Sequence, residues 1–207
     1  MTSQQLINRL EGDLPLTESM VSQLVDLYQT PQRFYHTIDH VCEVLQHYRD
    51  IAALNLWRNP HEVYLAALYH DAVYEYGAKD NESRSAQVAQ DCIQEWYSER
   101  SLDTHYVAHL IELTARHGAL TPQDVNEEEA LFLDCDLAII ASPWERFSVY
   151  QSQIEQEYTQ VYSQVLYQVG RRRFLRSLAQ ADRLFLSQHF HERYDQRARV
   201  NLNRALA

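Results

Sequence analysis

With four glycines and five prolines in 207 residues, the chain lacks the tight turns that a many-stranded sheet demands. These residues fall at joints between long segments whose apolar residues recur three and four apart, the spacing of helices with one buried face. The pattern predicts helices over Leu16–Thr30, stopped by Pro31, and over Asp39–Asp50, with Val41, Val44, Leu45 and Tyr48 on one face. It predicts others over Glu62–Tyr74, Asn81–Arg100 and Tyr106–His117, the last closed by Gly118 as a C′ residue. Asn126 and Glu129 make a capping-box pair ahead of Ala130–Ile140. Ser142, Pro143 and Glu145 supply N-cap, N1 proline and N3 acid for a helix expected to reach Gly170, and two more helices fill Arg172–Ala207. No internal repeat, low-complexity stretch or linker interrupts the plan. The expected fold is all-α, a single-domain helical bundle over 1–207 with a motif-bearing core at about 30–140 and C-terminal helices over 142–207.

Charge and composition narrow the function. Eighteen basic against 29 acidic residues leave a formal net charge of −11, which opposes binding to duplex nucleic acid or to an anionic membrane. The longest apolar run, Val63–Tyr69, falls far short of the roughly 18 residues of a membrane span. No basic segment followed by an apolar stretch opens the N-terminus, so no signal peptide is expected. Three scattered cysteines without a CxxC pair fit reduced thiols and a cytoplasmic setting.

Chemistry concentrates in three strings: Arg33–Val41 (RFYHTIDHV), Ala66–Ala72 (AALYHDA), and the Leu131–Ile140 segment that holds Asp134 and Asp136. His70 and Asp71 end an apolar stretch, where a carboxylate or imidazole is costly to bury unless paired or metal-bound. Adjacent helical residues point about 100° apart, so both reach one ion only where the helix ends and the backbone bends away. His36 and His40 share a helix face if the helix begins early enough. Asp134 and Asp136 ask for a partner because apolar residues flank them on both sides.

In order, a histidine, a His-Asp doublet 30 residues later and an aspartate 65 residues after that resemble the HD-domain superfamily of metal-dependent phosphohydrolases, with its H…HD…D signature. The resemblance is closest to the branch of predicted metal-dependent HD phosphohydrolases. It is carried by RFYHTIDH, ALYHDAVYEYGAKDNESRSA, TARHG and FLDCDLAII, with EQEY and GRRRFL beyond them, and spans about 30–205. It implies a divalent ion on His40, His70, Asp71 and Asp136, with Asp134 the alternative to Asp136. It assigns His36 to proton donation at the leaving oxygen, as an imidazole allows, against a structural hydrogen-bonded histidine.

Mn, Fe, Co, Ni or Mg suits two imidazoles and two carboxylates. Glu75 is the candidate for activating water or is an exposed helix-end acid. Arg33 and His117 are candidates for gripping a substrate phosphate, with a surface arginine and a helix-end cation as the plain alternatives. The expected activity is hydrolysis of a small phosphoester, such as a nucleotide. A catalytically silent metal- and nucleotide-binding module is the other expectation. The Arg171–Arg173 run reads as a surface patch at a helix start. Tyr150, Ile154, Tyr158, Val161, Tyr162 and Val165 read as a packing stripe, within the domain or across a homodimer.

Overall fold

The computed structural model describes residues 3–207. It is all-helical, with no strand among the described residues, and it divides into two compact units, Met1–Ala115 and Arg116–Ala207.

The first unit holds α1 (Ser3–Leu10), α2 (Glu18–Tyr28), α3 (Ile38–Ala52), α4 (Pro60–Tyr69), α5 (Asn81–Trp96) and α6 (Thr104–Leu113). Its centre is α4. Every residue from Val63 to Tyr69 is buried, and the helix packs against α3, α5 and α6. A helix apolar on all sides is stable only when surrounded in this way. Two tyrosine hydroxyls find carbonyl partners inside this core: Tyr28 donates to Leu68 at 2.9 Å and Tyr64 to Leu10 at 2.7 Å.

Gly12 lies against Tyr64 so closely that an added Cβ would overlap the ring. The ring is wholly buried and tethered through its hydroxyl. Gly12→Ala is therefore expected to cost about 1–3 kcal/mol by overpacking, read as a lowered urea midpoint.

The second unit holds α7 (Glu127–Leu137), α8 (Trp144–Tyr158), α9 (Gln164–Gln180) and α10 (Gln188–Leu206), with a 3₁₀ turn at Ala138–Ala141. α10 packs against α7, α9 and that turn. Asn201 on α10 donates to the carbonyls of Ile140 and Ser142 at 2.9 and 2.8 Å, satisfying groups that the end of the 3₁₀ turn leaves open. The expected capping box forms: Asn126 accepts from the amides of Glu128 and Glu129, and the Glu129 carboxylate accepts from the Asn126 amide. Gly118 takes a positive φ of 79°.

Several boundaries differ from expectation. The helix after Pro143 stops at Tyr158, and a new one starts at Gln164, where Ser163 caps it by accepting from the Leu166 amide. Ser142 is no cap, since its hydroxyl donates to the Pro143 carbonyl and Pro143 itself stands at the N-cap. Gly170 and the arginine run fall inside α9 rather than at a joint. α4 ends at Tyr69, five residues short of the expected Tyr74.

Candidate metal centre

That early stop is what lets the His-Asp doublet act at one point. His70 is the C-cap of α4, and the chain turns immediately after it. His70 Nδ1 lies 3.0 Å from the Ala67 carbonyl. The carbonyl accepts only, so Nδ1 carries the proton and Nε2 presents its lone pair. From the first turn of α3, His40 brings its Nε2 to 3.0 Å from that of His70. Asp71 Oδ2 closes the triangle at 3.3 Å from His70 Nε2 and 3.5 Å from His40 Nε2. Both imidazoles are buried, and Asp71 keeps 17% of its side chain exposed. Among the described residues this is the group whose ligand atoms converge in the manner of a metal site.

The donors fit a divalent ion. Ligand atoms bonded at ~2.0–2.2 Å to one ion stand about 2.9–3.5 Å apart when they are neighbours in its coordination shell, and the three edges of the triangle have that length. The hydrogen bond from His70 to a backbone carbonyl is the kind that fixes a ligating imidazole in the correct tautomer. Burial opposes ionisation of Asp71. The adjoining His70 and His40 rings outweigh burial and hold the carboxyl well below the usual carboxylate range.

Beneath the cluster lies Arg33, which is buried. Its Nη1 donates to the carbonyls of His36 at 3.0 Å and Asp71 at 2.6 Å, and its Nη2 to that of Ala72 at 2.9 Å. The guanidinium also sits over the rings of Tyr28 and Tyr74, at 5.1 and 5.7 Å from their centroids. The phosphate-gripping fork expected of Arg33 is thus turned onto the backbone. It fastens the segment before α3 to the turn after α4.

His36 lies ahead of α3, which begins at Ile38, so it shares no helix face with His40. It is nevertheless adjacent: the two ring centroids are 5.9 Å apart. The His36 ring stacks on Tyr74, centroid to centroid 4.0 Å and 20° from parallel. Glu75 is exposed and its carboxylate takes a 3.0 Å ion pair from Arg84 on α5, which lowers its pKa.

The remaining candidates belong to the second unit. Asp134 is buried and accepts from the amides of Leu186 and Ser187 at 2.8 and 2.7 Å and from the Ser187 hydroxyl at 2.6 Å. Burial pushes its carboxyl up to about 7 against the pull of those donors. Its oxygens are committed to the start of α10. Asp136 keeps a partly exposed carboxylate whose Oδ2 faces His117 Nδ1 at 3.2 Å. His117 Nε2 lies 3.1 Å from the Leu133 carbonyl and donates to it.

Arg33 as a backbone tether and Tyr74 as the seat of His36 were not expected from the sequence. The only advance signal is proximity in the chain, since each lies three residues from a motif residue, His36 and Asp71 respectively. No family model, no curated protein and no solved structure matches the chain.

Proposed function

We propose that this chain is a metal-dependent phosphohydrolase acting on a small phosphoester, such as a nucleotide. The observation that carries the reading is the convergence of His40 Nε2, His70 Nε2 and Asp71 Oδ2 to within 3.0–3.5 Å of one another at the buried end of α4. Two imidazoles and a carboxylate suit Mn, Fe, Co, Ni or Mg and leave further positions for water. Such an ion, when bound, lowers the pKa of its water and offsets negative charge on phosphoryl oxygens.

The protein's own groups do the rest. His70, locked by the Ala67 carbonyl, and His40 aim their nitrogens at one point, and Asp71 supplies the anionic ligand. His36 stands beside them with its ring face against Tyr74. In this reading His36 is the group that protonates the leaving oxygen. The net charge of −11 supports a small substrate over a nucleic-acid duplex, whose repeated phosphates would be repelled along its length. Cys42, Cys92 and Cys135 are buried and outside any disulfide, in keeping with a cytoplasmic protein. No helix among the described residues is long and apolar enough to cross a membrane.

One observation favours a second reading, a silent binding module: Glu75, the expected activator of water, is engaged by Arg84. Assay of the purified protein against phosphomonoesters, phosphodiesters and nucleotides with each divalent ion separates the two. Turnover supports the hydrolase, and ligand-induced thermal stabilisation without turnover supports the module. His36→Ala is expected to retain its metal while turnover falls by ~10²-fold or more. Loss of metal from that variant would make His36 a ligand instead.

A further inference from the structure

Only two residues of α9, Leu175 and Leu178, are buried, both in its C-terminal half. On its other side the helix exposes Val165 by 69%, Leu166 by 63% and Val169 by 65%, and the turn before it exposes Val161 by 54% and Tyr162 by 39%. At ~100° per residue, Val165, Val169, Arg172 and Arg176 fall within a roughly 60° arc, with Leu166 and Arg173 on one flank, the buried Leu175 on the other and Leu178 turned away. The outward face is therefore apolar in its first half and basic in its second.

We infer that this face is the contact between two copies of the chain, with α9 packed antiparallel on α9 across a two-fold axis near Tyr167. Charge selects both the partner and the direction. α9 carries Arg171, Arg172, Arg173 and Arg176 and no acid, in a chain of net charge −11. A parallel pairing would set the arginines of one copy against those of the other. The antiparallel pairing lays apolar half on apolar half. It also carries Arg172, Arg173 and Arg176 over the mate's Tyr158–Tyr162 turn, beside Glu155, whose carboxylate already accepts from Gln164 at the start of α9. Arginine over tyrosine and arginine beside glutamate are both favourable there.

The area is sufficient. The five exposed apolar residues leave on the order of 500 Å² in water, a large patch for a monomer. Two such patches with the arginine stems approach the ~1,200 Å² at which specific interfaces begin. An anionic membrane could also take an apolar and arginine-rich helix, but the acidic remainder of the chain opposes it.

Sedimentation velocity of the full chain at tens of micromolar tests the inference. The unmodified protein is expected to run as a dimer that weakens as salt is raised. Val165→Asp/Val169→Asp is expected to run as a monomer, its dissociation constant raised roughly 100-fold or more, with helical circular dichroism unchanged because both side chains are solvent-exposed in the single copy. Arg172→Glu/Arg176→Glu is expected to weaken association as well. A monomeric unmodified protein overturns the inference, as does a double aspartate variant that dimerises like its parent. A monomer that co-sediments with phosphatidylserine vesicles, and loses them in the aspartate variant, assigns the face to a membrane instead.

Discussion

Purified Asp71→Ala is expected to carry essentially no divalent metal and to hydrolyse no phosphoester. Asp71 is the anionic member of the triangle, and the two imidazoles left behind are neutral ligands whose Nε2 atoms stand 3.0 Å apart. Loss of an outer group that merely orients a ligand costs metal affinity ~10–100-fold. Loss of a charged ligand is expected to exceed the upper end of that range. Metal analysis after purification, followed by titration with Mn²⁺ and Co²⁺, measures it. Asp71→Asn, which keeps an oxygen but not the charge, is expected to fall between. Full metal content in Asp71→Ala would remove this triangle as the site.

Arg33→Met is expected to lower stability by ~1–3 kcal/mol, the range for leaving buried acceptors without their donor, and metal affinity by ~10–100-fold. The substitution approximates the volume and leaves the carbonyls of His36, Asp71 and Ala72, the last of them buried, without the guanidinium that serves them. Arg33→Lys restores charge but not the fork that reaches two segments at once. It is expected to recover much of the stability and little of the metal affinity. Urea denaturation and metal titration on the same samples separate the two effects. A variant that is destabilised yet binds metal as before would make Arg33 a structural residue with no bearing on the site.

The helices were legible because scarce glycine and a 3–4 residue apolar period leave few alternatives, and the Asn126–Glu129 capping box could be read from residue types alone. The missed break after Tyr158 has a plain cause. No glycine or proline marks it, and the stop is made by Ser163 capping the next helix, a signal any exposed serine carries. Gly170 misled in the opposite sense, since a solvent-facing helix tolerates glycine at about 1 kcal/mol.

At the candidate site, His70 and Asp71 stood out because polar groups at the end of an apolar run need a partner. What Arg33 does could not be read in this way. An arginine's donors are the same whether they meet phosphate or backbone, and the choice depends on which carbonyls the fold leaves open, here in residues 38 and 39 positions away in the chain. Asp134 and Asp136 look alike in sequence. The difference between them, one committed to the start of α10 and the other facing His117, arises from packing within the second unit.

α4 has no spare face. Ala66 and Ala67 are as enclosed as Leu65 and Leu68, and a single methylene added to a close-packed interior displaces its neighbours. His70 hangs from the last turn of this rod, so the aim of its nitrogen is inherited from packing all along Val63–Tyr69. Natural or laboratory variation that retunes the centre for a new substrate has to enter elsewhere, through His36 and the turn at 73–76, where side chains still border water. The helix acts as a datum against which those changeable parts are measured, and a lineage can diverge in chemistry while this stretch of its sequence stands nearly still.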